Sequence, residues 1–418
     1  MEEFIYFPAS SITQIDKDSF DLVDIYGGKF KLKSPHLEVY LSCPVQLNEK
    51  SLDRKTDILQ DNYLKILNDL IENNIIYPSK IKKQSPFNRK KVLEKIHSSP
   101  FNQQRTLNIG EVTLELTQNC PYNCMGCFRE INDKELLSES RLENLVSELS
   151  EMGISKIALS GGEITASKKS FERFKRVASY SRDVGINKIR LLTTGYNPER
   201  VGEALNYVDE IQISLDGLRE FHNSYKGLNN AFEKATESLK ICEANKKTTL
   251  TTNTVVSKKN LSEISFLIDF LSKFNIDTHR ITKMVTSSSD LRLDLEDAKK
   301  LYSLVREKQK KYPNSKIINA YGDCTDILNC TGGIVYAHIG ATGNIFGCDY
   351  DINNIAGNIQ QRSFQDIWTN SSVLKKYRTI SPIEGDCLDC HSRVFCFGNC
   401  WIEKENNKIS GECKNENK

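Results

Sequence analysis

VTLELTQNCPYNCMGCFRE occupies residues 112–130. Its first six residues form a β-branched run that predicts a short strand. The rest places Cys120, Cys124 and Cys127 in a C-x3-C-x2-C spacing, just past that strand's C-terminal end. A structural zinc site wants four ligands, commonly as paired C-x2-C knuckles. Three thiolates with no histidine nearby suit a cubane iron–sulfur cluster, held at three irons and open at the fourth. Zinc is the alternative for this group.

Strand-like and helix-like segments alternate from there. KIALSGGE (156–163), KIRLLTTG (188–195), EIQISLDG (210–217), TTLTTNTVVS (248–257) and HRITKMV (279–285) read as further strands. LLSESRLENLVSELSEM (136–152), FERFKRVASYSRD (171–183), AFEKATESLKICEA (231–244) and SEISFLIDFLSKF (262–274) have helical apolar spacing. Repeated strand–helix units imply right-handed parallel crossovers. The prediction is an α/β fold, a partial (β/α)6 parallel barrel with its chemistry at the strands' C-terminal ends. The cysteine loop, the SGGE turn and the SLDG turn all fall there.

The whole chain sets bounds on this reading. Its 418 residues allow two or three domains. With 57 basic and 55 acidic residues, the composition points to neither nucleic acid nor an anionic membrane. MEEFIYFPASSITQID lacks a basic region followed by an apolar run, and no stretch has the apolar length of a membrane span. The expectation is a cytoplasmic protein whose thirteen cysteines stay reduced and favour metal over disulfides.

C-x3-C-x2-C after the first strand, GGE after the second and SLDG after the fourth together resemble the radical S-adenosylmethionine enzymes, over residues 108–285. The resemblance implies a 4Fe–4S cluster on Cys120, Cys124 and Cys127. The open iron chelates S-adenosylmethionine, which on reduction yields a hydrogen-abstracting 5′-deoxyadenosyl radical. It further implies that Gly161, Gly162 and Glu163 face the methionine amine and that Ser214 and Asp216 contact the ribose and carboxylate. The chain departs from the family at three places. Gly126 replaces the aromatic residue before the third cysteine, Ile164 stands where proline often follows GGE, and Lys226 takes the place of an arginine that contacts the methionine carboxylate.

Eight cysteines crowd the last quarter of the chain. Cys330 is followed by twelve residues, Gly343, four residues and Cys348; then come Cys387-x2-Cys390-x5-Cys396-x3-Cys400 and Cys413. This pattern is similar to the SPASM domain of radical enzymes that act on peptides and proteins. Cys324 adds a spacing like that of the anaerobic sulfatase-maturating enzymes. The resemblance implies two further 4Fe–4S clusters, one on Cys324, Cys330, Cys348 and Cys400 and one on Cys387, Cys390, Cys396 and Cys413, three clusters in all. With no open iron, these would carry electrons. Asp349, in GCDYD, is implied as a base near the substrate; its plainer reading is a loop carboxylate. AGNIQQRSFQDIW (356–368) looks like the connector between the two halves.

The first hundred residues lie outside both resemblances. FDLVDIYGGKFKLK (20–33) predicts a hairpin turning at Gly27-Gly28, SPHLEVYLSC (34–43) a helix, and YLKILNDLIENNIIYPS (63–79) an amphipathic helix leading into a short strand. Strands flanking helices look like a winged helix. Residues 1–79 hold eight Lys/Arg against thirteen Asp/Glu, which disfavours phosphate and suits leader-peptide recognition at a sheet edge. KIKKQSPFNRKKVLEKIH (80–97) reads as basic connector.

The expected organisation is therefore a winged-helix-like leader-recognition domain (1–79), a basic linker (80–107), the radical partial barrel (108–310) and the SPASM domain (311–418). The expected function is modification of a ribosomally made precursor peptide by oxidative crosslinking, thioether first and carbon–carbon second. An external low-potential donor such as flavodoxin or ferredoxin would supply electrons. Two alternatives are a sulfatase maturase, which leaves residues 1–79 unused, and a non-catalytic redox sensor, which leaves the GGE and SLDG turns unused.

Overall fold

The computed structural model describes strands within residues 3–79, then residues 109–129, 135–286, 288–319, 332–333, 336–378 and 402. The chain divides into two compact units, Met1–Asn108 and Ile109–Lys418.

In the first unit, β1 (Glu3–Tyr6) pairs antiparallel with β5 (Ile76–Ser79), joining chain segments far apart in sequence. β2 (Ala9–Gln14), β3 (Ser19–Asp24) and β4 (Lys29–Lys33) form a second antiparallel sheet in sequence order. β3 and β4 pair from Ser19↔Lys33 to Val23↔Lys29, which is the hairpin expected of FDLVDIYGGKFKLK. The helices expected at 34–43 and 63–75 lie outside the described residues, and with them the winged-helix reading.

The second unit is built on one ten-stranded sheet ordered β12-β11-β10-β9-β8-β7-β6-β13-β14-β15. Its six expected strands are β6 (Glu111–Glu115), β7 (Lys156–Ser160), β8 (Lys188–Thr193), β9 (Glu210–Ser214), β10 (Thr249–Val256) and β11 (Thr278–Lys283). They lie side by side in chain order, all parallel. The sheet is wider than six strands. β12 (Ile317–Asn319) joins parallel beyond β11, and β13 (Tyr336–Ile339) joins parallel on the far side of β6. β14 (Asn344–Phe346) and β15 (Gly357–Asn358) then complete it antiparallel.

The register sorts the side chains onto two faces. Val112, Leu114, Ile157, Leu159, Ile189, Leu191, Ile211 and Ile213 share one face and are wholly buried. Helices cover it. α1 (Glu139–Glu151) buries Leu142, Leu145, Val146 and Leu149, the i, i+3, i+4, i+7 stripe of an amphipathic helix. α2 (Lys168–Asp183) buries Phe171, Phe174 and Val177 in the same way. Ser138 and Ser167 cap the two helices by accepting from Arg141 N and Ser170 N. The opposite face is polar. Near its strand N-termini, Lys156 and Arg190 pair with Glu111 and Glu210 at 2.6–3.8 Å.

Four further helices complete this half: α3 (Pro198–Ala204), α4 (Arg219–Lys226), α5 (Ala231–Ala244) and α6 (Ile264–Leu271). α7 (Leu295–Lys311) follows, started by a capping box between Asp294 and Asp297. Leu301 and Val305 of α7 join Val256, Ile268, Ile281 and Ile317 in one cluster, which is why a strand and helix follow β11. α8 (Phe364–Asn370) and α9 (Ser372–Arg378) come after β15. α8 returns to α1, where Gln365 N donates to Glu148 Oε1 at 2.9 Å.

Candidate active site

The cysteine loop leaves β6 at its C-terminal end and is held from two sides. On one side, Gly162 N donates to Thr117 O at 2.6 Å and Glu163 N to Asn119 O at 2.8 Å. Gly161 sits at φ +145°, and a Cβ there would lie 2.5 Å from Thr117 O. One on Gly162 would lie 1.9 Å from Asn119 O. The two glycines thus let the GGE turn press against the backbone entering the loop. On the other side, Asn123 N and Met125 N donate to Lys226 O and Tyr225 O, each at 3.0 Å. These are carbonyls of the last turn of α4, which ends at Gly227 in the left-handed conformation, φ +66°.

Cys120 and Cys124 are half-buried and Cys127 is exposed. Burial raises the thiol of Cys120, with Arg129 acting in the opposite sense. Burial pushes Cys124 up to about 11 against the pull of Lys226. Among the described residues, no three His, Cys, Asp or Glu side chains are grouped to hold a single ion. A cubane cluster asks for something different, one thiolate per iron at three separate corners. Three thiols in a clamped loop, with Arg129 and Lys226 to balance thiolate charge, fit that donor set.

Glu163 is buried, with its carboxylate surrounded by donors. Oε1 accepts from Thr165 N at 3.0 Å and from the hydroxyls of Thr165 and Thr193 at 2.6 Å. Oε2 accepts from Thr194 N at 2.7 Å and the Thr194 hydroxyl at 2.5 Å. It ties the GGE turn to the end of β8.

Asp216 and Lys226 form an ion pair at 2.9 Å with side chains only 2% and 7% exposed. Asp216 Oδ1 also accepts from Val255 N at 2.8 Å, and Asp216 O accepts from Asn260 Nδ2 at 2.6 Å. Burial opposes the charge on Lys226, but Asp216, Cys124 and Tyr225 together outweigh it and hold the lysine above its ordinary value. Lys226, expected at a methionine carboxylate, is therefore already paired with a residue expected to serve the same ligand. Ser214 is half-buried beside Asn253 on the polar face. Gly126, at φ +74°, faces Met284 and Leu291, which pack with Tyr225.

A second group of side chains reaches this end of the sheet from β13 and β14. Gly340 and Gly343 turn the hairpin between them, Gly343 at φ +92°. That reversal carries Cys348 and Asp349 back beside β13. Asp349 Oδ1 accepts from the Tyr336 hydroxyl and lies 2.7 Å from His338 Nδ1. Tyr336 oxygen is 2.8 Å from Thr113 Oγ1, and His338 Nε2 is 3.5 Å from Glu115 Oε1. Phe128 of the cysteine loop packs on Tyr350, ring centres 4.6 Å apart. Glu115 and His338 were not among the expected site residues; the polar alternation Thr113, Glu115, Thr117 along β6 and just past its end is the signal that marks the first. Cys324, Cys330, Cys387, Cys390, Cys396, Cys400 and Cys413 lie outside the described residues.

A family profile described as "Radical SAM superfamily" matches residues 114–271, and one described as "Iron-sulfur cluster-binding domain", SPASM, matches 330–391. The chain carries a radical SAM domain and a SPASM domain. Such domains imply bound S-adenosylmethionine and 4Fe–4S clusters. Relatives of the radical SAM–SPASM chain include an "AdoMet-dependent heme synthase" of Methanosarcina barkeri, 25% identical over 69% of this chain and 90% of its own length. Another is a "PqqA peptide cyclase" of Bradyrhizobium diazoefficiens, 25% identical over 69% of this chain and 80% of its own. Streptococcus suis SuiB, in a crystal structure with precursor peptide SuiA bound, shares the fold with a TM-score of 0.61 at 15% identity, over 99% of both chains. No helix among the described residues is long and apolar enough to cross a membrane.

Proposed function

We propose that this protein crosslinks a ribosomally synthesised precursor peptide, forming a thioether in the first instance and a carbon–carbon bond in the second. The observation that carries the reading is the extent of the likeness to SuiB, which runs through the Met1–Asn108 unit as well as the radical SAM and SPASM parts. The "PqqA peptide cyclase" relative supports a peptide substrate.

In this reading residues 1–79 hold the leader and the core peptide enters over the polar face of the sheet. Cys120, Cys124 and Cys127 hold one 4Fe–4S cluster. Cys324, Cys330, Cys348 and Cys400 hold a second, and Cys387, Cys390, Cys396 and Cys413 a third. When bound, S-adenosylmethionine and the clusters supply hydrogen-atom abstraction and a one-electron acceptor, with flavodoxin or ferredoxin as outside donor. The clamps on the cysteine loop keep its thiols in place for the cluster. Gly161, Gly162, Glu163, Ser214, Asp216 and Lys226 shape the S-adenosylmethionine pocket beside it. Asp349, with a third of its side chain open, receives the proton released as the crosslink forms.

The test is a search of the neighbouring genes for a short open reading frame, anaerobic co-expression of any peptide it encodes with this protein, and intact and fragment masses of that peptide. Loss of two hydrogens per crosslink is expected with the intact enzyme and not with Cys120→Ala, Cys124→Ala and Cys127→Ala combined. An unchanged peptide mass counts against crosslinking. The "AdoMet-dependent heme synthase" relative favours a second reading, a tetrapyrrole substrate. A change in porphyrin absorption on incubation with S-adenosylmethionine and reductant, without any change in the peptide, would establish it.

A further inference from the structure

Ser214 of β9, Asn253 of β10 and Arg280 of β11 stand opposite one another in register and form one row across the sheet. Ile281 packs into the helix-covered cluster with Val256, so its neighbour Arg280 projects from the polar face. All three residues of the row are half-buried. Cations at both ends of this face are answered by carboxylates. Lys156 and Arg190, near the strand N-termini, have Glu111 and Glu210, and Lys226, near the C-termini, has Asp216. Arg280 has no such partner: among the described residues its side chain makes no hydrogen bond, ion pair or ring contact.

A half-buried charge without a partner gives up part of its hydration and gains nothing in return. Asn253 indicates what would complete it. Its Oδ1 accepts from the Thr282 hydroxyl at 2.8 Å, which leaves Nδ2 as an uncommitted donor. Arg280 offers five donors in a planar fork and no acceptor. Adjacent strands lie about 5 Å apart, so the two sets of donors are neighbours. Donors side by side, with no acceptor between them, call for an anion, and the fork matches a carboxylate. A phosphate carries more charge, and the row holds a single cation to meet it.

We propose that Arg280 and Asn253 form a carboxylate-binding subsite that fixes the substrate by an acidic group. The carrier of that group rests on the peptide-crosslinking reading above: it is an Asp or Glu side chain of the core peptide. The subsite itself does not depend on that reading, since a tetrapyrrole's propionates present the same chemistry. Holding the substrate by a group remote from the reacting carbon restricts which carbon faces the hydrogen-abstracting centre. Arg280 is thus a specificity-determining residue that acts through binding.

The first test needs no substrate. Phenylglyoxal, which modifies free guanidinium groups, should label Arg280 in the holoenzyme, as read by mass spectrometry of its proteolytic fragments. Glutarate should slow that labelling and the neutral glutaramide should not, at matched ionic strength. An unlabelled Arg280, or equal rates with both additives, overturns the proposal. The second test uses holoenzyme and the co-expressed peptide, with each Asp and Glu exchanged in turn for its amide. A hydrogen bond to a charged group contributes about tenfold or more in binding, so one exchange should raise the wild-type KM about tenfold. The same exchange should cost Arg280→Gln nothing further. Asn253→Asp keeps an acceptor for Thr282 but fills the subsite with its own carboxylate, and should behave like Arg280→Gln. Arg280→Lys, which keeps the charge without the fork, should fall between the two. Equal losses in wild type and Arg280→Gln overturn the proposal. So does an equal fall in S-adenosylmethionine affinity, which would assign the pair to that ligand. If the peptide is neither bound nor altered, the crosslinking reading has failed and the labelling decides the subsite. Weaker binding of coproporphyrin III by Arg280→Gln than by wild type, read by absorption, would then place the carboxylate on a tetrapyrrole.

Discussion

Replacing Lys226 with methionine removes one partner of the buried Asp216–Lys226 pair while keeping most of the side-chain volume. Asp216 is left 2% exposed, with Val255 N as its one remaining donor at Oδ1. Breaking a buried pair from one side costs about 3–5 kcal/mol, because the surviving charge is stranded. Removing both charges should recover most of that loss, so Lys226→Met with Asp216→Asn should be closer to wild type than Lys226→Met alone. The damage should also be local. α4 presents Tyr225 O and Lys226 O to the amides of Met125 and Asn123, so loosening α4 loosens the cysteine loop. Denaturant unfolding of the three proteins gives the energies, and hydrogen exchange followed by mass spectrometry reads the segment around Asn123. A single variant as stable as wild type, a double variant no better than the single, or unchanged exchange at Asn123 and Met125 would refute this account.

Gly162→Ala places a methyl group 1.9 Å from Asn119 O, so the GGE turn must lift off the loop. Reconstituted protein should then hold less iron and sulfide, as measured by chemical assay, while Gly153→Ala, strained by its φ of +80° but with nothing within 4 Å of its Cβ position, should keep its iron and so separates backbone strain from the steric clash. Phe174→Ala empties a fully buried site between α2 and the sheet and should cost about 3–5 kcal/mol in unfolding. Burial disfavours ionised Asp269, but hydrogen bonds from Lys308, Tyr312 and Lys311 outweigh it and hold its carboxyl at about 2, below the ordinary 3.8. A lowered carboxylate pKa stabilises the fold above the unfolded value and is lost as pH falls through the folded one. Unfolding followed from pH 5 to pH 1.5 should therefore show a loss centred between 3.8 and 2 that is diminished in Asp269→Asn.

Much of the central architecture was legible because its determinants are local. Six apolar strand cores separated by amphipathic helices lead directly to parallel order, and AFEKATESLKICEA matches α5 from end to end. The sheet's two extra parallel strands were not legible. YAHI carries no mark of the partner β6, more than two hundred residues earlier, because that pairing is decided by tertiary packing. α3 was missed for a different reason: PERVGEA is seven residues long and buries only Val201 and Ala204, too few for a periodic signal. α7 did carry a signal, its capping box at Asp294. At the site, the residue types were legible and their partners were not. The motif around GGE marked Glu163, but nothing in it indicates that Thr165, Thr193 and Thr194 supply five donors to the carboxylate. Likewise SLDG and SYKG marked Asp216 and Lys226 separately, while their pairing needs the fold to bring β9 and α4 together.

β13 lies in the same sheet as β6, hydrogen-bonded to it from Glu111 to Leu114. The chain beyond residue 310 is thus woven into the scaffold that bears the cysteine loop. A chimaera that exchanges the C-terminal cysteine-rich part for that of another radical SAM–SPASM protein, with its junction near residue 310, would strip β6 of a neighbour and expose its edge to other chains. Swaps intended to change the product should place their junctions after β15, or carry β13 through β15 along with β6 as one inseparable block.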